Sequence, residues 1–319
     1  MDRGRKLEEA EHHMRKANKL WAPSIFELRL KPDWEGAAPL YEKAALAYKQ
    51  AGDLEKSRAA YERAAMSQEK IGSTWHAAKH LETASQISKD LGDWAQVAEF
   101  ARQAASAFAQ AGRPTAGADA LSRGAKQLEE ASPSDAHALY SEALDMYEVD
   151  GKEGQASDVF RQAAACLVRN GKFSDAAALL MRFGQACESV NARSSQCKAY
   201  LGAVVALLYA GDAREAWQAR VVFQDALAVD AFSGSEEAFA ADALFLAYAG
   251  GAADAVRGVV QSKAPFRQLD TALGRLAAKL PVGDFEPQAR AAKDLVGGGD
   301  GGGGGGAGPC GGGSDDELM

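Results

Sequence analysis

The sequence predicts an all-α protein, an α-solenoid of antiparallel helical hairpins, on three observations. Gly52, Gly72, Gly92, Gly112, Gly151, Gly171, Gly211 and Gly251 form a comb whose teeth lie close to multiples of twenty residues apart. Between teeth the apolar residues recur every three or four positions: Leu40, Ala44, Ala47 and Tyr48 before Gly52, then Ala60, Tyr61, Ala64 and Ala65 after it. That is the period of an amphipathic helix. Alanine fills the chain alongside Glu, Lys, Leu and Arg, a composition suited to closely packed helices.

Each tooth reads as a helix stop, because a glycine after the last turn takes the left-handed conformation at little cost. The next helix often opens on an acid suited to N-capping, as in "GDLEK" at Gly52, "GDWAQ" at Gly92 and "GDAREA" at Gly211. Where a tooth is missing, another breaker stands in the slot: "ASPSD" (131–135), "NARSS" (191–195) and "DAFSGSEE" (230–237). Stops are therefore expected near residues 52, 72, 92, 112, 131, 151, 171, 191, 211 and 231. Twenty residues per tooth leave a helix of about 15 residues, roughly 22 Å long, and a short turn that forces neighbours antiparallel. Two helices make a unit of about 40 residues, and about 14 helices in all stack as a tetratricopeptide-like solenoid with a longer repeat than the usual 34.

Three regions follow. Residues 1–230 form the twisted helical sheet, interrupted by an apolar loop at 20–32. Residues 231–296, with Pro265, Pro281 and Pro287 and shorter elements, form a helical bundle that caps it. Between Gly297 and Gly313, 13 of 17 residues are glycine, so 297–319 reads as a flexible tether ending in the acidic "SDDELM".

A net charge of −8 argues against a general affinity for nucleic acid. Cys166, Cys187, Cys197 and Cys310 form no CxxC pair and no zinc-like spacing, which suits thiols in a reducing compartment. The amino terminus lacks the apolar core of a signal peptide, and no run approaches the roughly 18 apolar residues of a membrane span. A cytoplasmic protein is expected. His76 and His80 stand four apart on one helix, but the intervening "AAK" lacks the glutamate of HExxH and no third ligand suggests itself. The Gly-Lys pairs in "GKEGQ" and "GKFSD" follow no P-loop, and the polyglycine run follows no strand. No cofactor, metal site or catalytic residue is assigned, and a binding protein is expected rather than an enzyme.

One stretch does not fit a solenoid. "KLWAPSIFELRLKPDW" (19–34) carries Leu20, Trp21, Ile25, Phe26, Leu28 and Leu30 and is interrupted by the helix breakers Pro23 and Pro32. It either folds back onto the first helices or is exposed for docking. Residues 1–31 hold eight Lys/Arg and five Asp/Glu, a local charge of +3, and basic charge beside apolar residues suits an anionic bilayer.

The basic first helix, the apolar loop, "KPDWEGAAPLYEKAALAYKQAGDLEKSRAAYERAA", the long hairpins and the acidic tail with Leu318 together resemble the soluble NSF attachment proteins (SNAPs). "KPDWEGAA" looks more like the gamma class than the alpha/beta class. The polyglycine insertion departs from the family pattern. The resemblance implies an adaptor that binds the four-helix SNARE bundle, recruits and stimulates the ATPase NSF for SNARE disassembly in vesicle trafficking, and hydrolyses nothing itself. It further implies membrane contact by Trp21, Ile25 and Phe26, and NSF stimulation by Asp315, Asp316, Glu317 and Leu318. SNARE contact carries over to Arg113 and Arg161. A family lysine falls on Asp119, a reversed charge, and Asp158 and Gln162 replace lysines near Arg161. The adaptor is expected to be peripherally membrane-associated. A helical-repeat scaffold for another partner is the competing reading, and an acidic, leucine-bearing tail on a tether favours the first.

Overall fold

The computed structural model describes residues 2–23, 30–283, 286, 288–290 and 292. They form sixteen α-helices and one 3-10 turn, with no strand among the described residues. The first helices are α1 (Asp2–Trp21), α2 (Trp34–Ala51), α3 (Leu54–Ile71), α4 (Thr74–Asp90), α5 (Trp94–Gln110), α6 (Pro114–Leu128) and α7 (Pro133–Val149). A 3-10 turn (Glu153–Gln155) precedes α8 (Ser157–Arg169), α9 (Phe173–Ser189) and α10 (Arg193–Ala210). Then come α11 (Ala213–Leu227), α12 (Asp230–Ser233), α13 (Glu236–Ala249), α14 (Ala253–Ser262), α15 (Ala264–Arg267) and α16 (Thr271–Ala277).

All eight teeth of the comb have positive φ, from 66° at Gly151 to 88° at Gly211. Asn191 takes the same conformation (φ 56°) in the slot without a glycine, as asparagine does more readily than most residues. The acids after the glycines cap as their position implies. The Asp53 carboxylate accepts from the Lys56 amide (3.1 Å), and Asp212 accepts from those of Arg214 (2.9 Å) and Glu215 (3.0 Å). The expected stop near 231 is instead a one-turn helix, α12. It forms because Phe232 is fully buried, edge-on to Tyr200 (5.5 Å) and Phe223 (6.2 Å). The expected 14 or so helices become sixteen through two such four-residue turns, α12 and α15.

Consecutive helices pack as neighbours from α1 to α11. Small residues allow the close approach: in α5 the buried side chains are Val97, Phe100, Phe108 and five alanines. The repeat also shows as a ladder of polar pairs about forty residues apart. On one side Arg58 of α3 reaches Asp93 before α5 (2.6 Å), Arg102 of α5 reaches Glu142 of α7 (2.9 Å), and Arg182 of α9 reaches Asp145 (3.0 Å) and Glu148 (2.7 Å) of α7. On the other side Arg123 of α6 pairs with Glu82 of α4, Gln127 with Gln86 (3.2 Å), and Arg169 of α8 with Glu129 after α6 (2.6 Å). Odd-numbered helices thus tie to odd and even to even, which gives the sheet two separate faces.

The pattern changes at α10. Its twelve buried residues include Leu201, Gly202, Val204, Val205, Leu207 and Leu208, and it packs against α9, α11, α12, α13 and α16. A helix segment buried on every side belongs inside a core, and here α9, α11, α12, α13 and α16 supply the cover. One hydrophobic cluster runs from Val97 on α5 through α10 to Ala292.

Candidate functional site

The amino-terminal loop is closed at its base. The Asp33 amide donates to the Leu20 carbonyl (2.9 Å), while the Asp33 carboxylate caps α2 through the Gly36 amide (2.8 Å). Position 36 must be glycine for this approach: a Cβ there would sit 3.0 Å from the Leu20 Cδ1 and closer still to the Asp33 carboxylate. Trp21, the last residue of α1, fills the stem. Its ring stands edge-on to Trp34 (4.4 Å between centroids) and Tyr41 (5.9 Å), and the Arg63 guanidinium lies over it at 5.7 Å. The Tyr41 hydroxyl donates to Asn18 (2.7 Å) and fixes that ring in turn. Leu30, just before Pro32, is 85% exposed. Ile25 and Phe26 lie outside the described residues, as do Asp315, Asp316, Glu317 and Leu318.

Arg113 directly precedes α6, follows the left-handed Gly112 and is exposed, with no carboxylate partner among the described residues. Arg161 on α8 is exposed but engaged: it donates to Asp158 (2.9 Å) and to the Ser157 carbonyl (3.3 Å). Asp119, the reversed charge, accepts from the Tyr147 hydroxyl (2.7 Å), and burial together with that contact pushes the tyrosine's pKa up. Arg113 caps and Arg161 belongs to an even-numbered helix. On that side a groove of about 420 Å³ is lined by Lys49, Lys79, Glu82, Gln86, Arg123 and Gln127. Lys79 pairs with Glu82 (2.9 Å) and stands over the Phe108 ring (5.2 Å). Lys79 and Arg123 were absent from the sequence reading. The offset of 41 between Glu82 and Arg123, repeated by Gln86 and Gln127, is the signal that could have found them. On the odd side α7 is acidic: it carries Asp135, Glu142, Asp145 and Glu148 with no lysine or arginine.

His76 and His80 do not converge. The His76 ring shares a hydrogen bond with the Ser73 hydroxyl (2.7 Å), whereas His80 is buried beside the Tyr61 ring (5.9 Å). No group of three metal-ligating side chains occurs among the described residues. Cys166, Cys187 and Cys197 are buried, and burial pushes their thiols up, Cys187 to about 11, opposite to an activated thiolate. No helix among the described residues is long and apolar enough to cross a membrane.

Long antiparallel hairpins stacked in sequence order, tied odd to odd and even to even, define a helical-repeat scaffold. A family model described as soluble NSF attachment protein, SNAP, matches residues 5–271. The chain belongs to the soluble NSF attachment protein family. The gamma-soluble NSF attachment protein of Arabidopsis thaliana is 37% identical over 271 residues, covering 85% of this chain and 91% of that one. The protein of the same name from Dictyostelium discoideum is 25% identical over 274 residues, 86% of this chain and 83% of that one. The gamma-class likeness read from "KPDWEGAA" holds. Among solved structures, a STAND protein with a tetratricopeptide repeat sensor from Pyrococcus horikoshii aligns at TM-score 0.37 and 13% identity, over 76% of this chain and 36% of that one.

Proposed function

We propose that this chain is an adaptor that binds SNARE complexes, recruits NSF and stimulates it to disassemble them, working in the cytoplasm and touching membranes peripherally. Membership of the family over residues 5–271, with gamma-class relatives, carries this reading. The adaptor itself performs no hydrolysis and needs no cofactor. We assign Arg113 and Arg161 to SNARE contact: Arg113 has an uncommitted charge, and Arg161 must exchange Asp158 for the partner. Ile25, Phe26 and the free edge of Trp21 are assigned to the membrane surface, and Asp315, Asp316, Glu317 and Leu318 to NSF.

The test is SNARE-dependent ATP hydrolysis by NSF at matched SNARE occupancy. Leu318→Ala is expected to leave the fold and SNARE binding intact and to lower the stimulated rate several-fold. Equal rates would remove the tail from the mechanism. Failure of the wild-type chain to recover NSF and SNAREs from cytosol, with or without nonhydrolysable ATP, would overturn the adaptor reading.

A further inference from the structure

The carboxyl-terminal helices α14, α15 and α16 border a groove of about 560 Å³. Phe266, Leu269 and Ala277 are buried at its floor, while Arg267 and Arg275 line it and are exposed. Arg58, Arg102, Arg123, Arg169 and Arg182 of the solenoid each hold a carboxylate. Arg267 and Arg275 hold none among the described residues, nor do their neighbours Lys263 and Lys279. From Lys263 to Lys279 the chain carries these four bases against one acid, Asp270, inside a protein of net charge −8. A groove apolar at its floor and cationic at its rim fits an acidic segment bearing a single apolar side chain.

The chain carries such a segment in Asp315, Asp316, Glu317 and Leu318. We propose that the α14–α16 groove receives this segment of its own chain, with Leu318 over Phe266 and Leu269 and the three acids against Arg267 and Arg275. The tether is long. Ala292, the last described residue, is buried in the large core that also holds the groove's floor. From Lys293 to Leu318 there are 26 residues, half of them glycine. A glycine-rich chain of that length has an r.m.s. span of about 25–30 Å. Tethered so, the tail meets the groove at an effective concentration of the order of millimolar, and a contact with millimolar intrinsic affinity is about half occupied. Docking withholds the acids and Leu318 from any partner until that partner competes for them. The contact needs no partner protein, so its test is independent of the adaptor reading.

A nitroxide on Cys310 of the full-length chain, eight positions before Leu318, reads it out, since Cys166, Cys187 and Cys197 are buried. The protein alone at low salt is expected to show an immobilised component in its electron paramagnetic resonance spectrum. That component should fall several-fold in Arg267→Glu/Arg275→Glu and in Leu318→Ala, and also in high salt, where the Debye length shrinks to about 3 Å. It should stay constant over an about twenty-fold range of protein concentration, as an intramolecular contact does. Unchanged circular dichroism checks that the variants fold, and paramagnetic broadening of the Leu269 and Leu276 methyl resonances in the wild-type sequence needs no groove variant. A single fast-motion spectrum overturns the proposal. So does an immobilised component indifferent to the arginine reversals, or one that grows with concentration, which would assign the groove to the tail of a second copy.

Discussion

Gly52 has φ of 77°, and a Cβ built on it meets nothing within 4 Å, so alanine there is opposed by backbone conformation alone. A left-handed L-residue costs about 1–2 kcal/mol, and Gly52→Ala should lower stability by that much. Gly184, inside α9, is the opposite case: its φ is ordinary, but an added methyl would run into the Tyr200 ring. Tyr200 is held by Phe232 and has no room to retreat, so Gly184→Ala should cost about 1–3 kcal/mol as overpacking. Chemical denaturation of the two variants checks both, and Gly52→Asn should recover part of its loss while Gly184→Asn does not. A second residue-scale expectation concerns His80. Burial lowers its pKa, with His76 acting in the same direction and Glu42 opposing. The unfolded chain therefore binds the proton first, and the stability due to neutral His80 is present above the unfolded pKa of about 6.5 and is lost as pH falls below it toward the folded value. His80→Phe should flatten that part of the stability–pH profile between about pH 7 and 5. An unchanged slope would transfer the dependence to His13, whose pKa burial also lowers.

At the scale of elements, the stem of the segment between α1 and α2 is held by Trp21. Its ring is engaged by Trp34, Tyr41 and Arg63, partners 13 to 42 residues away that no local pattern discloses. Trp21→Ser should therefore destabilise the stem and reduce activity on both membrane-anchored and soluble SNAREs. Phe26→Ser with Leu30→Ser should instead reduce activity on anchored substrate and spare the soluble one. A fully buried large side chain contributes about 1.5–3 kcal/mol and each nearby base about 1 kcal/mol on anionic lipid, so the membrane role proposed for the loop is that of an auxiliary anchor. Flotation with anionic vesicles is the direct measurement, and equal loss on both substrates for the Phe26/Leu30 variant would refute the membrane role. The same contrast explains what was legible. Helix stops depend on one residue and its neighbours, so the comb located them at 52, 72, 92, 112, 151, 171 and 211. The one-turn helices α12 and α15 depend on burying Phe232 and Phe266 under distant helices, and no period announces them. In the site, Arg113 and Arg161 came from family likeness, whereas the engagement of Arg161 by Asp158 and of Asp119 by Tyr147 is a matter of side-chain geometry.

For the whole molecule, the question is whether the solenoid ends as a unit or as part of a continuous core. Repeat proteins bury most apolar surface against immediate neighbours, and their last repeat needs a cap with a polar outer face. Here the second half of α10 is buried on all sides, beneath α9 and α11 and also beneath α12, α13 and α16, which begin at residue 230 or beyond. Phe232, Leu244, Phe245 and Leu273 are all at most 4% exposed in the cluster that contains α10, and Gly202 lets Leu273 close on the helix backbone. We therefore propose that the 1–230 and 231–296 divisions fold together. Removing four large buried side chains, at about 1.5–3 kcal/mol each, removes about as much as the 5–15 kcal/mol that holds a typical domain. A chain ending at residue 230 should bind the apolar dye ANS and melt well below the full-length protein, whereas one ending at 296 should melt with it. If the 1–230 chain gave the same melting temperature and no added dye binding, α10 would have to be capped from within the solenoid, and the two regions would be separate folding units.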